Sequence, residues 1–157
     1  MSKTVAAGIF IIRKDGKLLI CHPTNHPETV WSITKGKLDA DETALEAALR
    51  ETQEESNIEL SDKSECFNIY LLTPITYKHK KKILHPYLFW EKSDSKIDWA
   101  SIEIKCNSKV QPDRGDFYEM DKFLWTSLEE AKILLHYTQV TALIEIEEII
   151  SEEKTFC

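Results

Sequence analysis

Glycine and proline are scarce, at 4 and 5 among 157 residues, which excludes collagen-like and low-complexity architectures. Paired cysteines are missing. Cys21, Cys66, Cys106 and Cys157 stand far apart and form no CxxC pair, so zinc-finger and thioredoxin-type spacings are absent. Four thiols without a secretion signal point to a reducing, cytoplasmic setting, each thiol buried or half-buried. Long hydrophobic runs are also lacking. The longest, Val5 to Ile12, is far below the ~18 residues that a membrane span needs. It is followed by Arg13-Lys14-Asp15-Gly16-Lys17 rather than by a small-residue cleavage site, and Ser2 breaks the myristoylation pattern. A basic surplus is absent too. Lys plus Arg total 20 against 27 Asp plus Glu, a formal charge of -7, which disfavours long nucleic acid as a partner.

Hydrophobic residues make up 42% and charged residues 30%, as in ordinary globular chains. The length suits a single domain over residues 1–157. Thr4 to Arg13 and Lys17 to Cys21 are apolar and β-branched around Asp15-Gly16, which predicts a hairpin. His22 to Val30 reads as a loop with solvated histidines, and Trp31 to Thr34 as a short strand ending at Lys35-Gly36-Lys37. Asp41 to Ser56 predicts a helix, with Ala44, Leu45, Ala48, Leu49 and Thr52 as its core stripe and Asn57 as a left-handed cap. Cys66 to Tyr77 and Ile83 to Trp90 are β-rich, separated by a lysine-rich hairpin tip, Lys78 to Lys82. A strand around Ile102 to Lys105 and another at Phe123 to Trp125 follow. Ser127 to Glu130 fits a capping box that opens a helix, and Thr138 to Glu153 is a second helical run. The order implies a mixed α/β domain.

Residues 36–58 carry the chemistry: GKLDADETALEAALRETQEESNI. On a helix Glu51 and Glu55 share one face, with Glu54 beside them, and Arg50 can pair with Glu54. Three carboxylates within five residues repel one another unless a cation lies among them, and oxygen donors suit Mg²⁺ or Mn²⁺. The glycine backbone and two cations of Lys35-Gly36-Lys37 suit a phosphate. A solvated Glu-rich helix face is the plain alternative.

The extended spacing tips that balance. The segment resembles the Nudix box, G-x5-E-x7-R-E-U-x-E-E-x-G-U, with U a bulky aliphatic. Gly36, Glu42, Arg50, Glu51, Glu54, Glu55 and Ile58 match. Six of these matches would arise by chance at roughly 10⁻⁵ in such a chain. Thr52 stands in place of an aliphatic, Asn57 in place of Gly, and Thr34 in place of the usual Pro of the Trp31-to-Gly36 lead-in. Ala7-Gly8-Ile9, Leu18-Leu19-Ile20, Glu119 to Trp125 and Ser127 to Ala131 resemble the family's flanking strands and closing helix.

The resemblance implies a Nudix-type α/β/α sandwich with a mixed β-sheet. It implies a Mg²⁺- or Mn²⁺-dependent hydrolase that cleaves the pyrophosphate linkage of a nucleoside diphosphate joined to another group. Its metal ligands would be Glu51, Glu54, Glu55 and the carbonyl of Gly36, braced by Glu42 and Arg50. The general base would be a box glutamate, Glu51 or Glu54, or a later one, for which Glu119 is the candidate. Lys35, Lys37 and Trp31 would meet a small nucleotide substrate. The short layout favours a dinucleoside polyphosphate or a nucleoside triphosphate. ADP-ribose/FAD-type substrates, an RNA 5′ end, a non-catalytic nucleotide sensor and an isomerase are the alternatives.

Overall fold

A computed structural model describes residues 3–110 and 115–155, so Cys157 lies outside the described residues. Thr4–Ile12 (β1) is apolar on both its alternating faces, as a central, doubly covered strand must be. Its even residues Ala6, Phe10 and Ile12 pack into one core cluster and its odd residues Ala7, Ile9 and Ile11 into a second. Gly16, at φ 89°, supplies the turn into Leu18–Pro23 (β2). Thr34–Lys37 (β3) pairs antiparallel with the first half of β1. The expected Trp31-to-Thr34 strand is thus shifted: Trp31 and Ser32 make only isolated bridges, and the ladder runs through Lys35-Gly36-Lys37. Gly8 permits this approach, because a Cβ there would lie 2.6 Å from the Thr34 carbonyl oxygen.

Ala44–Ser56 (α1) begins three residues later than composition predicts. Asp41 takes φ 64°, and the helix opens at Thr43, whose hydroxyl accepts the Glu46 amide at 3.1 Å while Glu46 accepts the Thr43 amide at 3.0 Å. The β-rich run from Cys66 divides into Phe67–Leu71 (β4) and Ile75–Tyr77 (β5), with Pro74 between them. Both pair antiparallel with Lys82–Glu91 (β6), across a lysine-rich tip in which Lys81 takes φ 47°. Met120–Thr126 (β7) pairs with β2. Leu128–Leu134 (α2) is capped by Ser127, which accepts the Glu130 amide at 3.1 Å, and Tyr137–Thr155 (α3) ends the fold.

The main path of the sheet is β4-β6-β1-β2-β7. β1 and β6 run parallel while the other paired strands are antiparallel, so the sheet is mixed. α1 covers the face bearing Ala7, Ile9 and Ile11; α2 and α3 cover the other. This is the α/β/α sandwich the sequence implies. The strand expected at Ile102 to Lys105 does not form. That stretch is a strap tied to α1: the Lys105 amide donates to the Ser56 carbonyl at 3.1 Å and the Asn107 amide to the Glu54 carbonyl at 2.6 Å. Among the described residues, no helix is long and apolar enough to cross a membrane. Cys21 and Cys106 are buried and Cys66 half-buried, all as free thiols.

Candidate active site

β3 and α1 meet at one place, where the carboxylates gather. Glu51 lies over Gly36, and a Cβ at position 36 would overlap its carboxylate; glycine is therefore required by contact. Glu55 is 3% exposed and accepts the Lys35 amide at 2.9 Å. Arg50 organises the rest. Its Nε and Nη2 donate to the two oxygens of Glu42 at 2.8 and 2.9 Å, and Nη2 also donates to the Lys37 carbonyl at 2.9 Å. Nη1 donates to Glu51 at 2.8 Å and to Glu54 at 3.3 Å. Glu42 further accepts the Asp39 amide at 2.8 Å, which clamps the loop before the helix.

The structure thus brings Lys35, Gly36, Lys37, Glu42, Arg50, Glu51, Glu54 and Glu55 together. Glu119, just ahead of β7, joins them: its charge raises the pKa of both Glu51 and Glu55. It is held by the Ser108 hydroxyl at 3.0 Å and by a backbone bond to the same residue at 2.8 Å. Trp31 is not part of this group. Its ring packs on the opposite core cluster, edge-on to His22 with centroids 5.6 Å apart.

Three motif departures have local explanations. Thr34 and Thr52, each in an apolar position of the pattern, share a buried hydroxyl–hydroxyl bond of 2.7 Å. The two departures are one paired change, each hydroxyl satisfying the other. Asn57 takes φ 68°, as a glycine would. Its side chain also donates to the Glu103 carbonyl and accepts from Asn107, both at 2.9 Å, tying the strap to the helix end.

Sequence reasoning missed several neighbours. His22, expected in solvent, is 3% exposed, and its ring nitrogens face the Asp121 carboxylate at 2.6 Å and the Pro27 carbonyl at 3.0 Å. Tyr77, His136 and Tyr137 form a continuous aromatic group, and Gln139 donates to the Tyr77 hydroxyl at 3.0 Å and to Ser32 at 3.2 Å. Ser108 had no local signal, since a single serine in a polar stretch is unremarkable in sequence.

Electrostatically the cluster carries more negative than positive charge: Glu42, Glu51, Glu54, Glu55 and Glu119 face Lys35, Lys37 and Arg50. Burial is the main reason that the Glu51 pKa rises to about 7, and that of Glu55 is pushed well up for the same reason. Glu42 moves the other way, to about 2, under the Arg50 hydrogen bonds and the Asp39 amide. Among the described residues, no three His, Cys, Asp or Glu side chains already converge as a ready metal cage. Yet Arg50 engages only one oxygen each of Glu51 and Glu54, and Lys35 only one of Glu55. The other oxygen of each accepts no hydrogen bond among the described residues. A carboxylate set with free hard donors, Glu55 buried and Glu51 and Glu54 half-buried, fits a divalent cation.

A pH profile follows. In metal-free buffer, thermal stability should increase as pH falls from about 7 toward 4.5, because Glu51 and Glu55 bind protons more tightly folded than unfolded. Below about 4.5 the trend should reverse as Glu42, ionised and paired in the fold, takes up its proton near 2. Excess Mg²⁺ should raise the melting temperature more at the alkaline end. A scanning-calorimetry profile that is flat above about pH 5 with and without Mg²⁺ would contradict the assignment.

Comparison with known proteins identifies the family. A family model described as NUDIX domain matches residues 2–144. RNA pyrophosphohydrolase of Baumannia cicadellinicola subsp. Homalodisca coagulata is 26% identical over 125 residues, covering 76% of this chain and 74% of that protein. The asymmetrical bis(5′-nucleosyl)-tetraphosphatase of Sus scrofa is 27% identical over 115 residues, covering 73% and 67%. The fold is shared with a C. elegans Ap4A hydrolase solved as a binary complex, at TM-score 0.67 and 22% identity over 94% of this chain and 98% of that one. With the motif lying where β3 meets α1 and the family model spanning nearly the whole chain, this protein belongs to the NUDIX family.

Proposed function

We propose that the chain is a divalent-metal-dependent pyrophosphohydrolase, with a dinucleoside polyphosphate as its favoured substrate and nucleoside triphosphates next. The observation that carries this reading is the carboxylate set of buried Glu55 and half-buried Glu51 and Glu54, with one oxygen on each that accepts no hydrogen bond among the described residues. Those three residues and the Gly36 carbonyl would hold the cation. When bound, a divalent cation neutralises the diphosphate and lowers the pKa of the attacking water. Arg50, anchored by Glu42, holds Glu51 and Glu54, and the Lys35 amide holds Glu55. Glu119, fixed through Oε1 by Ser108, takes the proton of the water on its other oxygen. Lys35, whose charge lowers the Glu55 pKa, stands at the same place to meet phosphate oxygens.

The substrate preference is supported by the pig and nematode relatives, whose names specify bis-nucleosyl tetraphosphates. An RNA 5′ end is the second reading, favoured by the Baumannia relative and opposed by the net charge of -7. A panel of diadenosine tetraphosphate, ATP, ADP-ribose and 5′-triphosphorylated RNA separates them. The fastest turnover is expected with diadenosine tetraphosphate, consuming one water and giving ATP and AMP. EDTA should abolish it and Mg²⁺ or Mn²⁺ restore it; full turnover in metal-free buffer overturns the proposal.

A further inference from the structure

A recess of about 490 Å³ opens between the strap tied to α1 and the start of β7, and no residue assigned above to the metal or the proton lines it. Its walls include Thr24, Lys105, Cys106, Tyr118, Met120 and Phe123. The volume lies in the range of small-molecule sites. We propose that this recess receives the second nucleoside of a dinucleoside polyphosphate, the half whose partner lies across the scissile linkage. The proposal rests on the hydrolase reading above and deepens it.

Position is the first argument. Tyr118 and Met120 flank Glu119 in the chain, and Cys106 lies two residues before Ser108, which holds the Glu119 carboxylate. The strap carrying Lys105 and Cys106 is bonded to the carbonyls of Ser56 and Glu54 at the end of α1. One pair of segments therefore presents the candidate base and builds the recess.

Chemistry is the second argument. Met120 and Phe123 give an apolar floor, packed against the α1-side core. Tyr118 is 48% exposed, with the Lys109 ammonium 5.2 Å from its ring centroid, so a base can stack on the ring's other face. The Thr24 hydroxyl oxygen is buried and has no hydrogen-bond partner among the described residues. Buried polar atoms as a rule find a partner, in protein, water or ligand. A base edge or ribose hydroxyl would be one. Lys105, half-exposed on the same wall, places a cation near the phosphate chain.

Met120 makes the test clean, because the sequence has only 2 methionines, the other being Met1. The full chain is labelled with ¹³C-methyl methionine and titrated, with Mg²⁺, against a methylene-bridged, non-hydrolysable analogue of diadenosine tetraphosphate. The Met120 methyl signal should shift, and should stay in place with the methylene analogue of ATP, which lacks the second nucleoside. No shift, or equal shifts with both, overturns the proposal. In parallel, Tyr118→Ala and Thr24→Val are assayed, with melting temperature as the folding control. Tyr118→Ala should raise KM for diadenosine tetraphosphate about tenfold, and Thr24→Val severalfold, with adenosine tetraphosphate hydrolysis within about twofold. Equal effects on both substrates also overturn it. If the wild type hydrolyses neither compound, the hydrolase reading is what fails, and the Met120 shift alone decides the recess.

Discussion

Glu55→Gln is expected to lose about a hundred- to a thousandfold in turnover while melting at a higher temperature than the wild type in metal-free buffer above neutral pH. The two effects share one cause. The native carboxylate is 3% exposed and lies close enough to Glu51 and Glu119 for each charge to raise its pKa. Removing the charge relieves that repulsion and the burial cost, while a glutamine oxygen still accepts the Lys35 amide. The rate loss reflects a missing metal ligand, where several kcal/mol of transition-state stabilisation are at stake and each ~1.4 kcal/mol is a decade. Glu54→Gln should lose a similar factor with level stability, because its side chain is 38% exposed and contacts only Arg50. A residue that served only packing would lose activity and stability together. Unchanged turnover in both variants would return the segment to a solvated helix face.

The second large effect is at Glu119. Glu119→Gln should cost a factor of roughly 10² to 10⁴ in turnover, the usual contribution of a general base, with Mg²⁺ affinity unchanged. Glutamine keeps the Ser108 bond, so position is preserved and only basicity is lost. Turnover within a few fold of wild type would move the base to Glu51 or Glu54. A matching fall in Mg²⁺ affinity would make Glu119 a further ligand. Isothermal titration beside steady-state kinetics distinguishes the three.

Sequence made the framework legible where a pattern had one physical solution. The doubly apolar run of β1, the Asp15-Gly16 turn and the Ala-rich stripe of α1 each allow little else. The carboxylate motif also carried through to geometry, since i, i+3 and i+4 spacings on a helix place side chains together regardless of tertiary context. What sequence concealed depends on long-range partners. The Ile102-to-Lys105 stretch has strand-like residues, but its amides find the end of α1 instead of a ladder. Thr34 and Thr52, 18 positions apart, look like two unrelated departures until their hydroxyls are seen 2.7 Å from each other. Glu55 has the composition of an exposed helix residue, and only the covering β3 strand buries it. Trp31, which sequence offers as a ring to stack on a base, packs on the other core cluster and makes only an isolated bridge to Leu135.

The parallel pairing of β1 with β6 bears on how the chain is made. Thr4 to Ile12 find their partners in Lys82 to Trp90, so the central strand waits for most of the first ninety residues before its ladder can close. At translation rates of about 5–20 residues per second, that delay is on the order of ten seconds. Throughout it, the most apolar segment of the molecule has the β2 hairpin, the β3 crossing and α1 on one face to shield it, and its other face and edge stay open. Non-local pairing of this kind slows folding and lengthens exposure of aggregation-prone surface. The interval before Trp90 emerges is thus the stage at which a chaperone matters most to this protein, and truncations ending before Trp90 leave β1 with one edge open.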